Sequence, residues 1–210
     1  MARRRKVGNM LALVVLATLV ERPMHPYELA SLLRERGKED STKINWGSLY
    51  TVVQNLEKHG YISAAGTSRQ GRRPERTVYA ITDAGREELE DWLRELVSVP
   101  EREYPRFETA LSVIGVLPPD EVMDLLEQRV RALEIDLTAQ RATLEHVRKE
   151  VPRIFLIETE FQLALREAEV AWVRSLLDEL RDGTIPGVPE WRRWHETGEL
   201  PDIADKGLLG

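Results

Sequence analysis

The chain of 210 residues contains no cysteine. That excludes a disulfide scaffold, a thiolate zinc site and a cysteine nucleophile. Histidine is scarce too: His25, His59, His146 and His195 stand apart, without partners at metal-ligand spacing. The sequence holds no Gly-x-Gly-x-x-Gly, no phosphate-binding P-loop and no Gly-x-Ser-x-Gly. Acidic pairs such as Glu87-Glu88 read as solvated helix faces. On this inventory no catalytic residue, metal site or cofactor is expected, and the protein is not read as an enzyme. Also lacking is any apolar run of the ~20 residues needed to cross a membrane. The closest is 10–20, behind Arg3-Arg4-Arg5-Lys6, which imitates a secretory signal. No small-x-small cleavage site follows it; Glu21-Arg22-Pro23 does. We read 10–20 as a buried helix behind a basic arm, in a cytoplasmic protein. Its apolar character nearly all round requires cover on more than one side.

What the chain has in quantity is charge, 31% of its residues, with a net of -6. The charge is divided. Residues 1–82 carry 14 Lys/Arg against 7 Asp/Glu, a net of +7, and residues 83–210 carry 16 against 29, a net of -13. A basic front and an acidic back point to one region that meets a polyanion. A mean hydropathy of -0.38 fits a globular chain rather than a membrane or disordered one.

Periodicity organises the front half. A second helix is expected over 26–36, with Leu29, Leu32 and Leu33 on one face and Gly37 at its stop. A third is expected over 46–59, ended by Gly60. Strands are expected at 61–65 and 77–81, joined by a glycine-flanked basic turn, and a helix capped by Thr82-Asp83 over 83–97. Three helices followed by a hairpin is the order of a winged helix-turn-helix. At 100° per residue, Leu49, Val52, Val53 and Leu56 share one side of the third helix. Gly47, Thr51, Gln54 and Lys58 fall opposite, flanked by Tyr50 and Asn55. Gln and Asn can read adenine edges, while Lys and Tyr can hold phosphates. The hairpin tip adds Arg69, Arg72, Arg73 and Arg76, a cluster able to grip phosphates or enter a minor groove. The expected DNA contacts are thus Lys43, Ser48, Tyr50, Thr51, Gln54, Asn55, Lys58, Arg69, Arg72, Arg73 and Arg76. A protein-binding adaptor is the rival reading, since winged helices also serve as interaction modules. An adaptor needs neither the polar stripe nor the arginine tip.

The back half reads as helical. A short helix is expected over 107–116, before Pro118-Pro119. Then Met123, Leu126, Val130, Leu133, Leu137, Gln140, Leu144 and Val147 alternate three and four apart, a coiled-coil-like seam with one polar member. After Pro152 a second stripe runs through Ile157, Phe161, Leu165, Ala168, Trp172, Leu176 and Leu180, ended by Asp182-Gly183. Such helices can close an intrachain hairpin or pair two chains. Residues 187–210 read as a polar segment broken by Pro189 and Pro201, with Trp191 and Trp194 either buried against the helices or lining an effector pocket with Trp172. The expected domains are 1–98, a winged helix-turn-helix, and 99–210, a helical dimerisation and effector domain with a polar tail.

Short motifs then make the comparison specific. His25-Pro26-Tyr27-Glu28-Leu29, Gly47-Ser48-Leu49-Tyr50, Leu56-Glu57-Lys58-His59-Gly60-Tyr61-Ile62, Gly71-Arg72-Arg73-Pro74, Val78-Tyr79 and Ile81-Thr82-Asp83-Ala84-Gly85 occur in order within residues 10–95. They resemble the second helix, recognition helix, wing and following helix of the PadR family of bacterial transcriptional regulators. Thr51 stands where that family usually has proline or arginine, which leaves base preference open. The resemblance implies a mainly α protein that binds double-stranded operator DNA as a homodimer, most often as a repressor, with a small-molecule effector in some members and nucleoid association when bound. It also implies dimerisation through the carboxy-terminal helices, packed on the partner's first helix. On that basis the expected interface residues are Leu11, Val15, Met123, Leu126, Val130, Leu133, Leu137, Gln140, Leu144, Phe161, Leu165 and Trp172.

Overall fold

The computed structural model describes residues 7–38, 46–68 and 76–199. The chain divides into two compact units, residues 1–102 and 103–210. The division lies four residues beyond the expected limit at 98, which is where the last helix of the first unit ends.

The first unit contains α1 (Met10–Leu19), α2 (Pro26–Glu35), a 3-10 turn (Trp46–Ser48), α3 (Leu49–Lys58), β1 (Ile62–Ser68), β2 (Arg76–Ile81) and α4 (Asp83–Ser98). Three of these helices, α1, α2 and α4, start on a side-chain cap. The Asn9 side chain accepts from the Leu11 N–H at 2.9 Å. His25 Nδ1 accepts from the Tyr27 N–H at 3.0 Å, with Pro26 in the first turn, where its missing N–H costs nothing. Thr82 Oγ1 accepts from the Gly85 N–H at 3.1 Å and donates to the Gly60 carbonyl at 2.7 Å. One hydroxyl thereby caps α4 and ties it to the turn that ends α3. Gly60 makes that turn at φ +74°, a conformation that favours glycine. Gly85 is required for a different reason: a Cβ there would stand 2.0 Å from the Tyr61 carbonyl oxygen.

α1 is covered by α3, α4 and β2, as a helix apolar nearly all round must be. Leu11 and Val15 are 1% and 0% exposed, inside a core with Leu29, Leu33, Leu49, Leu56, Ile62 and Trp92. Both were expected at a dimer interface; within the single chain they are covered by its own core. The Thr18 hydroxyl is buried but donates to the Val14 carbonyl at 2.7 Å.

β1 and β2 pair antiparallel from Ile62↔Ile81 to Ser68↔Arg76, with an irregularity between Ala64 and Gly66. The strands run further than expected, to Ser68 and from Arg76. Met24 extends the ladder. Its N–H and carbonyl exchange bonds with Tyr79, both at 3.0 Å, which joins the segment before α2 to the base of the hairpin.

The second unit contains α5 (Arg106–Ser112), a 3-10 turn (Ile114–Val116), α6 (Pro119–Val147), a 3-10 turn (Arg153–Phe155), α7 (Ile157–Arg181) and α8 (Val188–Thr197). α6 and α7 form an antiparallel hairpin within one chain. Val122, Leu126, Val130 and Leu137 are buried with Leu163, Val170, Val173, Leu177 and Leu180. Met123, Leu133 and Leu144 are partly buried against the same core. Ion pairs cross the hairpin: Arg129–Glu169, Arg141–Glu167, Arg166–Asp136, Arg174–Glu134 and Arg181–Glu127. Gln140 Nε2 reaches the two Asp136 carboxylate oxygens at 3.2 and 3.3 Å, while its Oε1 is buried without a hydrogen-bond partner.

The expected α6 seam is therefore spent largely inside the chain, with Leu126, Val130 and Leu137, expected at a dimer interface, packed against α7. The expected α7 stripe is corrected. Between Ile157 and Leu180, 23 steps of about 100° overshoot six turns by about 140°. The stripe thus winds around the helix. Its late members Leu176 and Leu180 reach the core, whereas Phe161, Leu165 and Trp172 are 64%, 56% and 50% exposed. α8 replaces the broken tail expected at 187–199. Pro189 lies in its first turn, where proline is tolerated, so it starts a helix rather than ending one.

Candidate nucleic-acid interface

α3 owes its placement to its amphipathic pattern. Leu49, Val52, Val53 and Leu56 are buried, which turns the other side outward. Tyr50, Thr51, Gln54, Asn55 and Lys58 are all exposed, and Ser48 is half-buried at the helix start. The side chains expected to contact DNA along this helix therefore occupy one continuous outer surface. Lys43, Arg69, Arg72 and Arg73 lie outside the described residues; Arg76 opens β2 opposite Ser68.

The neighbouring charges are already engaged. The Arg36 guanidinium takes both Glu21 oxygens, at 2.5 and 2.9 Å, and Arg22 meets Glu28 at 2.5 Å. The Arg36 hydrogen bond holds the Glu21 carboxyl below its ordinary range. Arg34, in the last turn of α2, lies over the Trp46 ring at 4.1 Å. That cation–π contact fixes the entry to α3 from outside the helix. Sequence periodicity missed it, because the two residues are twelve apart across a polar connection. Glu57, the acid on the outer part of α3, lies close enough to Tyr79 at the wing base for its charge to act on the phenol. Burial first, then the Glu57 charge, raises the Tyr79 phenol above its usual range. Beside this exposed acid, the stripe itself consists of amides, hydroxyls and one lysine. Such a surface can offer paired donors and acceptors to base edges and a cation to phosphate.

The three tryptophans expected around an effector occupy two places. Trp191 Nε1 donates to the Gly115 and Leu117 carbonyls at 3.0 and 2.9 Å. Trp194 stacks on His195, with centroids 4.9 Å apart, and its ring edge lies beside Gly115. Trp172 instead meets Phe107 edge-on at 6.4 Å. No group of three or more His, Cys, Asp or Glu among the described residues could hold a metal ion. No helix among them is long and apolar enough to cross a membrane.

Residues 15–91, the winged helix just described, match the model of the Transcriptional regulator PadR-like family. The Negative transcriptional regulator PadR of Bacillus subtilis is 25% identical over 178 residues, which cover 80% of this chain and 96% of that protein. Its crystal structure in complex with operator DNA superposes with a TM-score of 0.68 at 22% identity, over 82% of this chain and 99% of that one. The same protein in complex with p-coumaric acid gives 0.67 at 21% identity, over the same shares. The fold is thus shared across both units, and the family match rests on the segment that carries the outward stripe of α3. Over residues 15–91 the chain is similar to the PadR-like family of transcriptional regulators, and along both units it shares the fold of the Bacillus protein.

Proposed function

We propose that the protein is a transcriptional repressor that binds a palindromic operator as a homodimer and is released from it by a small-molecule effector. The observation that carries this reading is the outer surface of α3. Its polar side chains are exposed because the opposite face is buried in the core. Thr51, Gln54, Ser48 and Asn55 face the bases in this reading. Tyr50, Lys58, Lys43 and the wing residues Arg69, Arg72, Arg73 and Arg76 hold the backbone. Repression follows from occlusion of the promoter. The names of the Bacillus relative and of its operator complex support the same direction, and its p-coumaric acid complex supports an effector.

Two recognition helices must meet half-sites about 34 Å apart, so a symmetric dimer is required. Phe161, Leu165 and Trp172, left outward on α7, are the residues assigned to that contact, continued by exposed Ile154, Phe155 and Ile157. An effector acts by binding one dimer geometry better than the other. The protein performs no catalysis in this reading, and it works in the cytoplasm, on the nucleoid.

A gel-shift titration against the gene's own upstream region tests the reading. Binding to that region should exceed binding to random DNA of equal length, and the preference should survive a rise in salt that removes non-specific contacts. Equal affinity for both DNAs at every salt concentration would refute it.

A further inference from the structure

α5, the 3-10 turn at Ile114–Val116 and the first turns of α6 surround a cavity of about 440 Å³. That lies in the range of about 300–1,000 Å³ common for small-molecule sites. Its lining is apolar, including Phe107, Val113, Leu117, Val122 and Leu126, with one charged member, Arg129. The wall is held from behind. Trp191 Nε1 bonds to the Gly115 and Leu117 carbonyls, His195 Nε2 lies 2.9 Å from the Gly115 carbonyl, and Arg192 meets Asp120 at 2.9 Å. α8 thus holds the turn that forms the cavity wall.

Arg129 is positioned just as firmly. Its guanidinium lies 3.7 Å over the Phe107 ring, and its Nε donates to Glu169 Oε1 at 2.6 Å. Nη2 meets the same oxygen. A guanidinium carries five donors, so the Nη1 edge remains to serve a second acceptor. An apolar chamber with one oriented cation selects a ligand with an apolar body and one acid group: the body is desolvated favourably, and the charge finds a planar partner.

We propose that this cavity binds a small organic anion, its acid group on Arg129 and its apolar body between α5 and α6. This assignment rests on the effector reading above and gives it a location. It also gives a route. Phe107 carries Arg129 on its face and Trp172 at its edge, with an interplanar angle of 81°. Trp172 belongs to the α7 surface assigned to the second copy. A ligand that shifts Phe107 therefore acts directly on that surface.

The test uses two fluorescent probes on the full chain: anilinonaphthalene sulfonate, and phenylnaphthylamine, which has the same rings without the acid. The sulfonate should bind one site per protomer, about tenfold tighter than the uncharged probe. Arg129→Gln should weaken the sulfonate about tenfold and leave phenylnaphthylamine unchanged. Val113→Trp, which fills the open side of the cavity, should weaken both. Sulfonate binding unaffected by both substitutions would overturn the assignment. So would binding that vanishes as the chain self-associates, because a second copy would then fill the groove. Operator binding is measured separately by gel shift. Loss of operator preference with the probe pattern intact would refute the regulator reading alone; the converse would refute the cavity alone.

Discussion

Phe161→Asp should separate the dimer without unfolding the subunit. Phe161 is 64% exposed on α7. A large aromatic presents roughly 150–250 Å², so roughly 100 Å² of ring is left for a partner to cover. At about 25 cal/mol per Å² that surface is worth about 2.5 kcal/mol. A two-fold interface uses the residue twice, so the loss doubles to about 5 kcal/mol, a rise in dimer Kd of between about 10³ and 10⁴. The buried aspartate adds a desolvation cost in the same direction. Sedimentation equilibrium across a concentration series reads the change, and circular dichroism checks that helix content is retained. Leu137→Asp is the contrast. Leu137 is 4% exposed between α6 and α7, so a charge there should destabilise the hairpin itself by about 3 kcal/mol or more. A Phe161→Asp dimer with Kd within tenfold of wild type would refute the α7 interface, and the calculation with it.

Gln54→Ala should relax base preference, with about 1–3 kcal/mol of discrimination lost if the contact is bidentate; an unchanged ranking of sites in a selection from random DNA would remove Gln54 from base reading. Arg72→Ala with Arg73→Ala should weaken binding to all sequences and flatten the salt slope by roughly one for each lost phosphate contact, and an unaltered slope would take the wing off the backbone. Thr82→Ala should cost about 1–2.5 kcal/mol in urea unfolding, because it removes both the α4 cap and the bond to the Gly60 carbonyl; Thr82→Ser keeps both bonds and should recover most of the loss, so a serine variant as weak as alanine would refute the hydroxyl's role. Acid should loosen the α6–α7 hairpin. Hydrogen bonds from Arg181 and Arg131 hold the Glu127 carboxyl below its unfolded value of 4.5, so its contribution is present above that value and is lost as pH falls through the lower folded one. Glu127→Gln should therefore narrow the difference between thermal melts at about pH 6 and about pH 3, and an equal difference in both proteins would contradict this.

The winged helix was legible because its signals are local. The pattern of Leu49, Val52, Val53 and Leu56 set which side of α3 is outward, and Pro26, Thr82 and Gly60 punctuated the elements where the structure uses them. What periodicity could not supply was the identity of the neighbour. A helix apolar nearly all round demands cover without naming it, so Leu11 and Val15 fitted a partner chain as well as their own core. The α7 pattern failed more specifically. Steps dominated by fours wind about the axis, so one apparent stripe split between core and surface. Pro189 was read as a breaker because its meaning depends on whether a helix lies before or after it. Arg34 over Trp46 joins residues whose proximity is set by tertiary packing alone.

The bonds between Met24 and Tyr79, together with the Thr82 hydroxyl on the Gly60 carbonyl, bracket α3 and the hairpin from both sides. The base of the hairpin is thereby tied to the end of α3 and to the segment before α2. Within a subunit, the placement of the hairpin base against α3 is held by both sets of bonds. Loosening it would break sheet bonds and uncap α4 together. In the proposed homodimer, the outer face of α3 therefore moves with the core of its own subunit. Under that proposal, a response to an effector is expected as a change in the separation or tilt of the two α3 surfaces, so sensitivity to an effector should track the spacing of the operator's half-sites more than the bases within either one.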